Sequence, residues 1–306
     1  MSTYRYPIEK LPLGTFPPGR VVKSREWDFS NGTIPMERMR VGSPTATTGT
    51  NVVAQTTNRV LADGTTVWVT SAGTSGLTVE RPYYVIASGG STFQLALSPE
   101  GSAVAIAATG AITIDAFLAS FSATGTFAVA SPSTTIGYAQ VTTTAVSGNT
   151  AHFRSEIGLA LGAVEAVLWE VEGFILTEHN PVADIFLRIQ QVGATPGVYA
   201  VQRSTETFMR LGISGDVAGT ETPSEFDVRG GIQAANNTPK NFGIFLNCRT
   251  KELFLLDADR RVLAYRDLAS GFSTPTDARP SFAIITREAV AKVLRVKKLR
   301  QTWWVD

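Results

Sequence analysis

The feature that most constrains this chain is a rhythm. Short apolar–polar alternations recur about every ten residues and are cut by Gly, Ser, Asn and Asp clusters. One series holds Thr65–Thr70 (TTVWVT), Arg81–Ala87 (RPYYVIA), Thr92–Leu97 (TFQLAL) and Ala103–Ile106, punctuated at Ala72–Gly76 and Ser88–Ser91. A period of two puts successive side chains on opposite sheet faces, so each segment reads as a strand with one face buried. A second series holds Val167–Leu176, Ile185–Gln191, Val198–Arg203, Phe208–Ile213, Glu225–Val228, Asn241–Leu246, Glu252–Leu256, Val262–Arg266 and Ser281–Ile285. Within it, Leu253–Tyr265 (LFLLDADRRVLAY) reads as a hairpin folded about its Asp-Ala-Asp-Arg turn. Strands this short and this numerous predict an all-β chain: a small β-module followed by a jelly-roll-type β-sandwich.

Charge is distributed unevenly along that framework. Between Val60 and Thr150 the only charged side chains are Asp63, Glu80, Arg81, Glu100 and Asp115. A free monomer generally needs interspersed charge for solubility, so this poverty predicts a surface packed against neighbours. Residues 155–306 regain ordinary charge density. The first 42 residues differ again, setting Pro7, Pro12, Pro17 and Pro18 among Tyr4, Tyr6, Phe16, Trp27 and Phe29. Clustered prolines exclude a helix and disfavour a central strand, while so many aromatics are unlike a disordered linker. Two readings of this stretch stand: an extended arm ordered on another surface, which is adopted, or an arm folded on its own domain. The chain is accordingly divided into an extended N-terminal docking arm (1–42), a low-charge β-module (43–154) and the sandwich (155–306).

The inventory of reactive groups is sparse. Lys and Arg number 27 against 26 Asp and Glu, so no global basic footprint for nucleic acid exists. The one cysteine, Cys248, excludes a disulfide scaffold or a multi-thiolate zinc site and reads as a buried apolar filler. His152 and His179 have no ligand spacing and read as surface or interface residues. Phosphate-loop, dinucleotide and HExxH signatures are absent, and Gly212-Ile-Ser214-Gly215 does not make a nucleophile elbow. Glu170-Val-Glu172 lacks the central Asp and third carboxylate of a sandwich glucanase strand, and so reads as a solvated or interface face. Asp257 and Asp259 have calcium-loop spacing, but a hairpin tip followed by Arg260 and Arg261 favours turn hydrogen bonds. No catalytic residue, metal site or cofactor is therefore expected.

Both ends of the chain, and one apolar window, complete this reading. Arg287, Lys292, Arg295, Lys297, Lys298 and Arg300 precede Trp303 and Trp304, read as a charged face beside a tryptophan anchor at a core or subunit contact. A short helical turn near Arg287–Ala291 followed by a strand is expected there. Ala103–Phe121 approaches a membrane span in length, but Asp115, Gly110 and its Ile/Thr alternation fit two strands instead. The first ten residues lack an apolar signal region, which predicts synthesis in a cytoplasm.

Two stretches resemble known families. Asn58–Ile114 runs NRVLADGTTVWVTSAGTSGLTVERPYYVIA and on through STFQLALSPEGSAVAI. It resembles a β-module of tailed-bacteriophage virion proteins, matched at Val67, Val69, Gly76, Leu77, Tyr83, Tyr84, Val85, Thr92, Phe93, Gln94, Leu95, Gly101, Ala103 and Val104. Trp27–Pro35 (WDFSNGTIP), with the strands from Val167 to Trp304, resembles the concanavalin A-like sandwiches of phage fibres and other adhesive proteins. This second resemblance implies that the sandwich begins near Trp27 and that the Tyr-Tyr-Val module is inserted in it.

Together the resemblances imply a non-enzymatic structural protein of a phage virion, made in the host cytoplasm. A tail fibre or spike is placed ahead of a capsid decoration protein or head fibre, and a carbohydrate-binding module is the remaining alternative. Implied partners are other virion proteins of capsid, collar or tail, further copies of the chain in a homotrimer, and a host surface glycan. Neither nucleic acid nor membrane insertion is expected. The residues assigned to partner binding are Tyr4, Tyr6, Phe16, Trp27, Trp303 and Trp304, and those of the module motif are Tyr83, Tyr84, Phe93 and Gln94.

Overall fold

A computed structural model describes residues 21–54, 61–124, 126–129, 137–176, 183–191, 197–203, 206, 209–213, 222–223, 239–268 and 272–305. Apart from one 3-10 turn at Leu161–Ala163, every regular element among these residues is a β-strand. The chain is all-β, as its alternation predicts. Among the described residues no helix is long and apolar enough to cross a membrane.

The chain forms two compact units: Met36–Ser120, and Met1–Pro35 together with Phe121–Asp306. Neither boundary expected from composition, after residue 42 or after residue 154, is where the units part. The reason lies in pairing. Val21–Asp28 lies antiparallel to Lys298–Val305 along its whole length, from Val21 opposite Val305 to Asp28 opposite Lys298. Phe121–Thr124 pairs with Thr150–Ser155, and Ala139–Thr142 with Val293–Val296. Val21–Asp28 of the supposed arm is therefore a sandwich strand, Met36–Gly42 is a strand of the middle unit, and that unit is an insertion.

The larger unit is a sandwich of two antiparallel sheets. One is built around the long strand Ala166–Leu176, flanked by Lys240–Asn247 on one side and Lys298–Val305 on the other. The other is ordered Phe121–Thr124, Thr150–Ser155, Ala278–Thr286, Ala183–Gln191, Gly197–Gln202, Arg210–Ile213 and Thr222–Pro223. Their facing side chains make one core around Trp27, Phe153, Trp169, Phe174, Phe242 and Phe282. Phe153 stacks on Phe282 at 5.0 Å, and Trp27 meets Phe121 edge-on at 5.5 Å. Midway along Ala166–Leu176 the register shifts at Gly173 (φ +67°), whose amide donates to Asn241 Oδ1 at 2.9 Å. A Cβ there would lie 2.6 Å from that of Lys297, so the bulge requires glycine. It lets the strand end leave Lys298–Val305 and pair with Val293–Val296.

The inserted unit is a single eight-stranded sheet. Its core joins Val67, Val69, Tyr83, Val85, Phe93, Leu95, Ile112 and Ile114, which are the inward positions of the alternating segments. Ala103–Ile106, expected as a strand, makes only an isolated bridge from Ala103 to Ala96. Asn51 instead holds this segment, its side-chain Oδ1 accepting from the Ile106 amide at 3.0 Å. The window Ala103–Phe121 contributes Gly110–Ala111 and Thr113–Ala119, two strands as expected.

The tail departs from expectation. No helical turn forms at Arg287–Ala291; Thr286 Oγ1 donates to the carbonyls of Glu288 and Val290 at 2.9 and 3.0 Å and closes a bend instead. A threonine hydroxyl satisfying local backbone competes directly with helix formation. Two strands follow, Val293–Val296 and Lys298–Val305.

Candidate functional site: a charged cleft on the sandwich

Alternation along Ala166–Leu176 sends Val167, Trp169 and Val171 into the core and leaves Glu170 and Glu172 on the opposite face. Register then carries one row across five strands: Glu26 faces Arg300, Arg300 faces Glu170, Glu170 faces Gly243, and Gly243 faces Leu256. The neighbouring row sets Asp28 beside Lys298 and Lys298 beside Glu172. Acid and base alternate across the strands, which is the favourable arrangement for directly opposed pairs.

The ends of this array are tied down locally. Asp257 Oδ1 accepts from the amides of Asp259 and Arg261, each at 2.8 Å, which closes the hairpin tip with Arg260 at φ +63°. That turn delivers Arg260 Nε to Glu170 Oε1 at 2.7 Å. Arg300 pairs with Glu26 at 2.7 Å, and Lys297 with Glu172 at 2.6 Å. Gly243 contributes no side chain between them. The result is a cleft of about 160 Å³ lined by Glu170, Glu172, Asn241, Asp257, Arg260, Lys298 and Arg300.

Its charges hold firmly. The hydrogen bond from Arg300 keeps the Glu26 carboxyl below the usual carboxylate range, and the same bond raises Arg300. Burial works to raise Asp28, but bonds from Ser30 and the charges of Lys298 and Lys297 outweigh it and leave that carboxyl lowered. The bond to Glu172 raises Lys297. One atom stands out: Glu170 Oε2 is buried and has no hydrogen-bond partner. A carboxylate oxygen in that condition accepts any hydroxyl or amide presented to it, and leaving it unmet costs about 1–3 kcal/mol.

A wider, shallower depression on the same unit, about 660 Å³, is lined by Leu161, Glu165, Cys248, Arg249, Lys251 and Thr274. Cys248 is buried as expected, and burial pushes its pKa up to about 12.

The sequence-assigned contacts fall elsewhere. Tyr4, Tyr6 and Phe16, like His179, lie outside the described residues. Trp27 is fully buried in the sandwich core, so it serves packing and is not offered to a partner. Trp303 is partly buried against that core, with the Arg25 guanidinium 5.8 Å from its ring. Trp304 faces the other side and is buried with Phe245, Phe254 and Leu256. In the inserted unit Tyr83 and Phe93 are core, and the Tyr83 hydroxyl accepts from the Thr78 amide at 2.8 Å. Tyr84 and Gln94 are half-buried on the other face, Gln94 donating to the Thr50 carbonyl. His152 is half-buried. Asp257 makes turn hydrogen bonds as its spacing in a hairpin tip suggested, and among the described residues no group of three or more His, Cys, Asp or Glu could hold a metal.

The cleft itself was not singled out from sequence. Its signal was present, since the alternating Glu170-Val-Glu172 and Lys298-Leu-Arg300 are complementary strand faces, but only register reveals that they are neighbours.

No protein-family model matches the chain, and no curated protein matches it in sequence. Solved structures with a similar course include the Emp47p carbohydrate recognition domain (10% identity, 60% of this chain and 87% of that one, TM-score 0.43). Peanut lectin with a bound 9-mer peptide is similar at 11% identity, over 61% of this chain and 93% of its own, with a TM-score of 0.44. The VIP36 exoplasmic/lumenal domain in its Ca2+/Man2-bound form is similar at 7% identity, over 60% and 81%, with a TM-score of 0.40. Likeness of this degree assigns neither a ligand nor a residue role to this chain.

Proposed function

We propose that this chain is a carbohydrate-binding protein without hydrolytic activity, reading a glycan at the charged cleft. The observation that carries this is Glu170, a residue of the cleft lining whose Oε1 is engaged by Arg260 and whose Oε2 is buried without a hydrogen-bond partner. Sugar hydroxyls donate and accept at once, and a face alternating carboxylate with guanidinium and an Asn amide answers both demands. Binding of the full chain to a glycan array tests the reading. Glu170→Gln, which keeps shape but exchanges an acceptor for an amide donor, is expected to lower affinity for the glycan found by roughly tenfold. Equal binding by both proteins, or no glycan bound at all, overturns it. The full chain is needed because residues 155–306 alone lack five strands of the sandwich, Val21–Asp28, Phe121–Thr124, Thr126–Val129, Ala139–Thr142 and nearly all of Thr150–Ser155.

The setting we assign is a tailed-phage particle, with a fibre or spike ahead of a capsid decoration protein. Its support is the Asn58–Ile114 pattern and the near-absence of charge between Val60 and Thr150, which suits a surface enclosed by other virion proteins or further copies of the chain. The stretch preceding Val21, with Tyr4, Tyr6 and Phe16, carries the docking role in this reading. Removing residues 1–20 should abolish incorporation into particles, and unchanged incorporation would refute the role.

A further inference from the structure

The second sheet carries a row of different character. On the face turned away from the core, Arg154 lies opposite Ser281, Ser281 opposite Arg188, Arg188 opposite Tyr199 and Tyr199 opposite Gly212. Phe153, Leu187, Val198 and Ala200 point to the core, which fixes the side on which their neighbours stand. Gly212 has a reason to be glycine, because a Cβ there would lie 2.4 Å from the Tyr199 ring. The two arginines stand one strand apart on either side of a serine, about 10 Å between backbones at ordinary strand spacing. His152 is two residues from Arg154 on the same face.

Arg154 is the telling member. Its Nε is buried and has no hydrogen-bond partner, and it has no ion pair among the described residues. Arg154 as a whole is half-buried, and an Nε–H withdrawn from water without an acceptor costs about 1–3 kcal/mol, which an acceptor oxygen would relieve. The local field agrees: burial lowers the His152 pKa, and the charges of Arg154 and Arg188 lower it further. Ser281, 6% exposed, supplies a hydroxyl between the two forks.

We propose that the Arg154–Ser281–Arg188 row is an oxyanion site that takes the sulfate or carboxylate substituent of an acidic glycan. This rests on the carbohydrate reading above for the source of the anion, and on the row alone for its chemistry. Planar guanidinium forks match the paired oxygens of such groups, and a serine hydroxyl completes the set.

Dextran sulfate, uncharged dextran and inorganic sulfate, each titrated into the full chain at constant ionic strength, test it. Dextran sulfate is expected to bind, with uncharged dextran failing to compete. Arg154→Gln should weaken it by at least roughly tenfold, the scale of one lost charge-assisted hydrogen bond. Arg154→Lys, which keeps the charge without the fork, should recover part of the loss and guards against a variant that fails to fold. Inorganic sulfate binding as tightly as the polymer would overturn the glycan as source. Equal dextran sulfate binding by the parent and Arg154→Gln, or none by either, would overturn the site. Glu170→Gln separates the two readings: if it leaves every glycan bound while Arg154→Gln does not, the cleft fails and the oxyanion site stands.

Discussion

Several side chains carry consequences their neighbours do not share. Gln301 faces the core, directly opposite Trp169 and Arg25 in register, and both atoms of its amide are buried without a hydrogen bond. The indole N–H groups of Trp27 and Trp169 share that condition. Replacing an unmet amide by an apolar group of like size removes a desolvation penalty at little packing cost. Gln301→Leu is therefore expected to raise unfolding free energy by about 1–2 kcal/mol in urea denaturation; a loss would show that the amide is bonded in solution. Glu26 and Asp28 have the opposite character, with carboxyls held below their ordinary values by Arg300 and by Ser30 with its neighbouring lysines. A carboxyl lowered on folding adds stability above its unfolded value, and that contribution is lost as pH falls through the folded one. Thermal midpoints should drop from about pH 5 to pH 3, and Glu26→Gln should flatten part of that drop; because Glu26 is largely exposed, the flattened part is small.

At the scale of elements, one strand decides whether the sandwich is complete. Val21–Asp28 would be an ordinary exposed edge but for Trp27, which drives a fully buried ring against Phe121. Trp27→Ala is expected to cost about 3–5 kcal/mol, the range for emptying an aromatic site in a core. Removing residues 1–28 should lower the unfolding midpoint steeply below that of a chain lacking only residues 1–20; equal midpoints would show that the strand is dispensable. The bulge at Gly173 makes a comparable demand. Alanine there meets both a positive φ and the Lys297 side chain, so Gly173→Ala should destabilise by more than about 1 kcal/mol. It should do so by loosening Val293–Val296, which hydrogen exchange along that strand would register.

For the whole molecule, the inserted unit has the geometry an insertion requires. Its first strand pairs with its last long one, Met36 opposite Ala119, so entry and exit are neighbours. Residues 36–120, expressed alone, should unfold in one cooperative transition, since the unit has a core of its own. Non-cooperative melting would show that it depends on the remainder of the chain. Its low charge makes that fragment prone to associate, so the transition is best followed at two concentrations.

Sequence alone settled the strands and their inward faces. Alternation located Thr66–Ser71, Pro82–Gly89, Ala166–Leu176, Lys240–Asn247 and the hairpin Glu252–Asp257 to Val262–Asp267 within a residue or two, because period-two patterning is a local property of backbone geometry. It also marked Cys248 as buried and Asp257 as a turn residue, both local readings. What it could not hold was the pairing of distant segments. Val21–Asp28 meets Lys298–Val305 across nearly the whole chain, and nothing in a Pro- and aromatic-rich beginning announces that partner. The same long-range register moved the unit boundaries expected from composition, took Trp27 from docking surface to core, and set Glu170 beside Arg300 and Arg154 and Arg188 on either side of Ser281. Such contacts are selected by burial and hydrogen bonding between strands far apart in sequence, and only the tertiary structure chooses among them.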